Sequence, residues 1–391
     1  MHILVLSLDN PLSPMGGLGV QIYETYKRIK NVQISIVCQK NDKSNISFEH
    51  KNITLYEVPE FNISDKYSNI TNNMTLISSF LHVCLTKINK TPTLIHAYDW
   101  NTVIVAKQLS DYYKCPLFFT MALSSVKEAD AVYENNNENN NEKSKLVNHQ
   151  MYDAIKQIEE NALNTAEQVF FVSESYRSSY SQDIINKSEV LQNGIDFDYF
   201  NKVTIPKTFT LPGRKGVKKL LYMGRLVFMK NVNNLLNAKL PENVDLLIAG
   251  DLKTANLNIV NNLKKMLINP NLNVYYCGKI KDPERLWYLN SVDAVIIPSI
   301  HEPFGIVGLE ALATNNIVLS SMVDGLGDFT SDVAIYCGTL KETIENSVKV
   351  WSELKEEQIE MLKQRGVEAS KKFTWDIPIK KLVSSYEKYS R

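Results

Sequence analysis

Short apolar runs alternate with longer segments of helical periodicity along the whole chain. In the first half the runs are HILVLSL (2–8), ISIVC (34–38), LIHAY (94–98), LFFTM (117–121) and QVFFVS (168–173). Each is strand-sized and, where it does not alternate, suited to burial on both faces, the mark of a parallel sheet covered by helices on either side. A polar, proline-containing stretch, NKVTIPKTFTLPGRKG (201–216), interrupts this rhythm. It restarts as KLLYMG (219–224), DLLIAG (245–250), NVYYCG (273–278), AVIIPS (294–299), IVLSS (317–321) and AIYC (334–337). The pattern predicts an α/β fold of two doubly wound, Rossmann-like halves, 1–200 and 201–374, joined by a linker and facing a cleft. Ligands of such sheets sit at the carboxyl ends of the strands, so residues there carry the functional signal. The segment ENNNENNNEK (134–143) cannot bury enough apolar surface to order itself and reads as a mobile insertion on the first half.

Composition narrows the picture. The 391 residues are too many for one ordinary core, and the 44% that are hydrophobic suffice for two. Lys+Arg 43 against Asp+Glu 43 leaves no net charge, which argues against a nucleic-acid or membrane-surface binder working by bulk positive potential. The cysteines Cys38, Cys84, Cys115, Cys277 and Cys337 show no CxxC or Cys/His metal spacing, pointing to a reduced, cytoplasmic setting and to metal-free chemistry. The N-terminal MHILVLSLDNP lacks a basic leader and reads as a first strand rather than a signal peptide. No run approaches membrane-spanning length.

The most informative stretch is HEPFGIVGLEALA (301–313). Pro303 disfavours helical geometry at Glu302, so a helix starts near Phe304–Gly305. The amides of Gly305, Ile306 and Val307 are then free to meet an anion such as a phosphate, and Gly305 lets it approach closely. Glu302 lies just before this helix. Glu310, about one and a half turns in, is placed to accept hydrogen bonds from sugar hydroxyls, or else is a solvated position. In YMGRLVFMKN (222–231), Arg225 and Lys230 follow a strand-ending glycine, where a diphosphate wants a guanidinium fork and an ammonium.

The first half is read the same way. In SPMGGLGVQIYETYKRI (13–29), Gly16, Gly17 and Gly19 permit a tight loop whose amides can meet a phosphate or a sugar. It is no nicotinamide fingerprint: position 22 is Ile, the loop is long, and ISIVCQK has no ribose-reading acid. In IHAYDWNTV (95–103), Asp99 either faces substrate hydroxyls or caps the following helix. His96 lies inside the strand, as a core histidine or a ligand to substrate.

Taken in order, GGLG, HAYDW, LQNGID, GRLVFMKN, IAGD and EPFGIVGLEALA resemble the retaining glycosyltransferases of the GT-B fold, glycogen and starch synthases in particular, over nearly the whole chain. The resemblance implies that Arg225 and Lys230 bind the diphosphate of a nucleotide-sugar donor, that Glu302 contacts the donor sugar, and that Glu310 holds the ribose. It also implies phosphate contacts from Gly305 and Ile306, Asp99 on the sugar and acceptor side, and a C-terminal helix (375–391) crossing back to the first domain. The donor would be a substrate, with no cofactor, and the acceptor a carbohydrate such as an α-glucan. Two departures stand out: Ala122 where these synthases carry a histidine, and Met15 where a basic residue often precedes the paired glycines. They keep open a nucleotide-sugar-binding relative that regulates rather than catalyses, beside an epimerase or a phosphorylase on the same architecture.

Overall fold

The structure, a computed structural model, describes residues 1–40, 48, 51–59, 70–135, 149–269 and 273–390. Most of the polar segment 134–143 lies outside them. The chain forms two compact units, Met1–Asn193 with Trp375–Arg391, and Gly194–Thr374.

The first unit is built on a seven-stranded sheet. Its strands are β1 (His2–Leu6), β2 (Gln33–Gln39), β3 (Ile53–Val58), β4 (Leu94–Tyr98), β5 (Leu117–Met121), β6 (Gln168–Phe171) and β7 (Ser188–Val190). They lie in the order β3-β2-β1-β4-β5-β6-β7, and every pair is parallel. The second unit holds β8 (Lys218–Met223), β9 (Val244–Ala249), β10 (Val274–Gly278), β11 (Ala294–Ile297), β12 (Ile317–Ser320) and β13 (Ile335–Tyr336), in the order β10-β9-β8-β11-β12-β13. The central strands are buried along their length, which is why they read as unbroken apolar runs.

Strand order reverses once in each sheet, between β1 and β4 and between β8 and β11. At such a switch point the connections leave in opposite directions and open a crevice beyond the carboxyl ends. Asp9 and the glycine loop follow β1 and Asp99 follows β4; Arg225 follows β8 and Glu302 follows β11.

Two boundaries differ from expectation. The change from first to second unit falls at Asn193–Gly194, ahead of residue 200. The stretch 201–216 is no free linker. Phe209 packs at 5.5 Å from the Trp287 ring and 5.2 Å from Tyr288. Arg214 Nε donates to Asp245 Oδ1 at 2.8 Å, and Lys219 Nζ reaches Asp245 Oδ2 at 2.6 Å. Asp245 has no solvent exposure, and two cations offset its desolvation.

The C-terminal helix, Asp376–Tyr389, packs Leu382 and Tyr386 into the first unit's core with Ile3, Tyr26 and Phe118. Tyr386 Oη lies 2.8 Å from Tyr26 Oη and 2.6 Å from His96 Nδ1.

Candidate active site

In the second unit the loop after β11 leads into the helix Ile306–Ala313 through Gly305, whose φ of 90° is left-handed. A side chain there would be strained, and its Cβ would stand 2.7 Å from Leu326 Cδ1. The amides of Ile306 and Val307 precede the first intrahelical bond, which Gly308 donates to the Gly305 carbonyl at 2.9 Å. Both residues are half-buried, and their N–H groups lie at the positive end of the helix dipole.

Glu302 accepts from Lys230 Nζ and, at 3.1 Å, from Ser299 Oγ. Its backbone N–H donates to Asp324 Oδ2 at 2.8 Å, the oxygen that also meets His301 Nδ1 at 2.6 Å. Lys230 ends the short 3-10 helix Phe228–Lys230 after β8. Backbone stitches join the two loops: Ile300 N–H donates to Met229 O at 2.8 Å, and the buried Asn231 amide bridges Pro298 O at 2.9 Å and Thr339 O at 2.7 Å. Arg225 sits on the same β8 loop, half-buried. Its carbonyl accepts from Tyr222 Oη at 2.7 Å, while its guanidinium has only Met229 Sδ at 3.8 Å. Among the described residues no carboxylate pairs with it. Arg225, Lys230, Glu302 and the helix start at 305 thus all follow β8 or β11, the two strands that flank one switch point.

Glu310 is not the solvated position that one expectation allowed. It is 2% exposed and forms an ion pair with Arg285, whose Nε also donates to Asp282 Oδ1 at 2.7 Å. These neighbours more than offset the burial of Arg285 and push its pKa further up. Glu310 is a buried ion-pair partner of Arg285.

In the first unit the structure corrects several readings. His96 has no exposure and contacts no solvent or crevice. Its Nε2 lies 2.7 Å from Thr120 Oγ1, and burial drives its pKa down to about 3, so it is a neutral core histidine and no substrate ligand. Asp99 does not cap the following helix with its side chain; Oδ1 accepts from the amides of Ala122 at 2.8 Å and Leu123 at 3.0 Å. The glycine-loop amides are also engaged: Met15, Gly16 and Gly19 donate to the Asp9 carboxylate at 2.9, 3.2 and 2.9 Å. Gly17 is exposed.

Two family models match the chain in succession, one described as the starch synthase catalytic domain over residues 4–192 and one as glycosyl transferases group 1 over residues 207–372. The chain is glycogen/starch synthase-like in sequence and GT-B in fold. It is 26% identical over 246 residues to a glycogen synthase of Mycobacterium tuberculosis, a match spanning 61% of this chain and 54% of that protein, about half its length. Among solved structures, a sucrose-phosphate synthase from Thermosynechococcus elongatus superposes with a TM-score of 0.76 at 16% identity, covering 99% of this chain and 98% of that one. The catalytic domain of starch synthase IV from Arabidopsis thaliana, solved with ADP and acarbose, gives 0.69 at 16% identity, covering 100% and 99%. No described helix is long and apolar enough to cross a membrane.

Three residues of the sites escaped the sequence reading: Asp9, Arg285 and Glu159. Only Glu159 left a signal, falling on the stripe Met151–Ile155–Glu159–Ala162 of the helix His149–Thr165. It is 4% exposed, accepts from Ser124 Oγ at 2.6 Å and Ser125 N–H at 2.7 Å, and burial raises its pKa to about 7. Its folded-state value lies above the unfolded one, so its contribution is present at low pH and lost as pH rises through about 7. His96 acts oppositely, costing stability as pH falls below about 6.5, so the two oppose between about pH 4.5 and 6.5. Urea melts are therefore expected to show a loss of roughly 1 kcal/mol from about pH 6.5 to 8. Glu159→Gln removes it; an unchanged slope in that variant contradicts the assignment.

Proposed function

We propose that the chain transfers a hexose, glucose in the first instance, from a nucleotide-diphosphate sugar to a carbohydrate acceptor such as an α-glucan, with retention of configuration and without a metal. The observation that carries this is Arg225, a half-buried guanidinium with no acidic partner among the described residues, on the strand-end loop it shares with Lys230 and at the same switch point as the helix start at Ile306 and Val307. The leaving diphosphate gains charge as the anomeric bond breaks. Preorganised cations and N–H dipoles lower that barrier most where water is scarce. Lys230 is held by Glu302, so one side chain of the pair neutralises phosphate while the other is positioned for sugar hydroxyls. In the retaining step the leaving phosphate itself deprotonates the incoming acceptor hydroxyl on the same face, so no second carboxylate is required as a nucleophile.

The second reading, a nucleotide-sugar-binding regulator, rests on Ala122 standing in place of a histidine. One experiment separates them. The full chain is screened by thermal shift against UDP-glucose and ADP-glucose, and products formed with glycogen or maltooligosaccharides are examined by NMR. Stabilisation with release of nucleoside diphosphate and a new α-linkage is expected. Tight binding with no consumption by any acceptor favours the regulator; no binding at all removes both.

A further inference from the structure

We propose that Asp324 is a positioning residue for Glu302, holding that carboxylate where it meets the donor sugar while other groups bind the diphosphate. This deepens the reading above and rests on it.

Glu302 is fixed from two sides. Lys230 and Ser299 Oγ donate to its carboxylate, which is 13% exposed. Its backbone N–H donates to Asp324 Oδ2 at 2.8 Å. The same oxygen lies 2.6 Å from His301 Nδ1, and since a carboxylate only accepts, the ring donates there. One atom of Asp324 thus sets two consecutive residues, 301 and 302.

The loop after β12, which leads to Asp324, is stitched to the loop after β11 at further points. Ser321 N–H donates to Ile297 O at 3.0 Å, and its Oγ donates to Ser299 O at 2.7 Å. Leu326 closes against Gly305, where an added Cβ would stand 2.7 Å from Leu326 Cδ1 and 3.2 Å from Glu302 Cγ. These contacts hold an unfavourable backbone. Met322 has a φ of 57° and Asp324 one of 46°, while Asn231, next to Lys230, has 58°. Left-handed geometry disfavours any side chain, least for Asn and Asp and most for a bulky one such as Met. It persists where the surroundings over-determine it, and such strain gathers at sites that must be held in one arrangement.

The chemistry gives that holding a purpose. In the reading above, Glu302 serves sugar hydroxyls while Lys230 serves phosphate, although opposite charges so close draw together. The anchor at the Glu302 backbone and the second donor, Ser299, oppose collapse of the carboxylate onto the ammonium. A misplacement of about 1 Å at such a group costs roughly 100-fold in rate.

Asp324→Gly tests this, because glycine adopts a φ of 46° without strain and removes only the carboxylate. With UDP-glucose or ADP-glucose as donor and glycogen as acceptor, the full chain carrying it is expected to keep its melting temperature and lose roughly 10- to 100-fold in kcat/KM. Its Kd for UDP or ADP without the sugar is expected to stay within about twofold of wild type. Asp324→Asn tolerates the same φ and keeps an acceptor oxygen, so it is expected to lose only about threefold. Wild-type kcat/KM in Asp324→Gly, or an equal loss of affinity for the bare diphosphate, overturns the proposal and leaves the transferase reading standing. Failure of Asp324→Gly to fold also overturns it, since the carboxylate then serves the fold. Where wild type binds the nucleotide sugar and transfers nothing, calorimetry takes the place of kinetics. Asp324→Gly is then expected to lose about tenfold in affinity for UDP-glucose but not for UDP, and parallel or absent losses overturn the role. Where wild type binds neither nucleotide sugar, the donor-site reading itself fails and the role of Asp324 falls with it.

Discussion

Arg225→Ala is expected to lower sugar transfer roughly 100- to 1,000-fold, the range seen when one preorganised donor to a developing charge is removed. Its melting temperature is expected to stay at the wild-type value, because among the described residues the side chain has no hydrogen-bond partner beyond Met229 Sδ and the bond from Tyr222 goes to its backbone carbonyl. Arg225→Lys restores charge without the fork and recovers only part of the rate. Lys230→Ala makes a poorer probe, since it also strands Glu302, a carboxylate only 13% exposed. Steady-state kinetics beside thermal melts decide the point: full activity in Arg225→Ala removes the diphosphate site, and a parallel loss of stability makes the residue structural.

Glu310→Ala is expected to act through the fold. Removing it leaves the Arg285 guanidinium without one of its two carboxylate partners, and breaking a buried pair from one side costs about 3–5 kcal/mol. Arg285→Ala, which takes the ion-pair partner from the buried Glu310, is expected to cost as much, and the double variant less than the sum. Urea unfolding measures all three. If Glu310→Ala instead melts like wild type and loses only nucleotide affinity, the carboxylate serves the ribose and the ion pair opens on binding.

The strands were legible where burial on both faces leaves a continuous apolar run. LIHAY and LFFTM match β4 and β5 residue for residue. The strands at the two edges of the first sheet left no such run. β3 alternates with half-exposed positions, and β7 has three residues, so neither stood out. Arg225 and Glu302 were legible as candidates because topology, not contact, places them: they follow the strands flanking a switch point. What the sequence hid were partners distant along the chain. His96 could be ligand or core until Tyr386, 290 positions away, supplied its bond. Glu310 needed Arg285 on another helix, and Asp99 needed amides at 122 and 123. A carboxylate that claims backbone amides looks the same in a local pattern as one waiting for a substrate.

The return of the last helix to the first unit has a practical consequence for anyone dissecting this chain. The second unit is one uninterrupted segment, Gly194–Thr374, and lends itself to separate expression. The other half is split: cutting after Asn193 strips away Leu382 and Tyr386, opens the hydrophobic seam they seal, and leaves His96 Nδ1 with Tyr26 Oη alone of its two hydroxyl neighbours among the described residues. A faithful fragment of it has to carry residues 375–391 in trans or spliced behind a short tether.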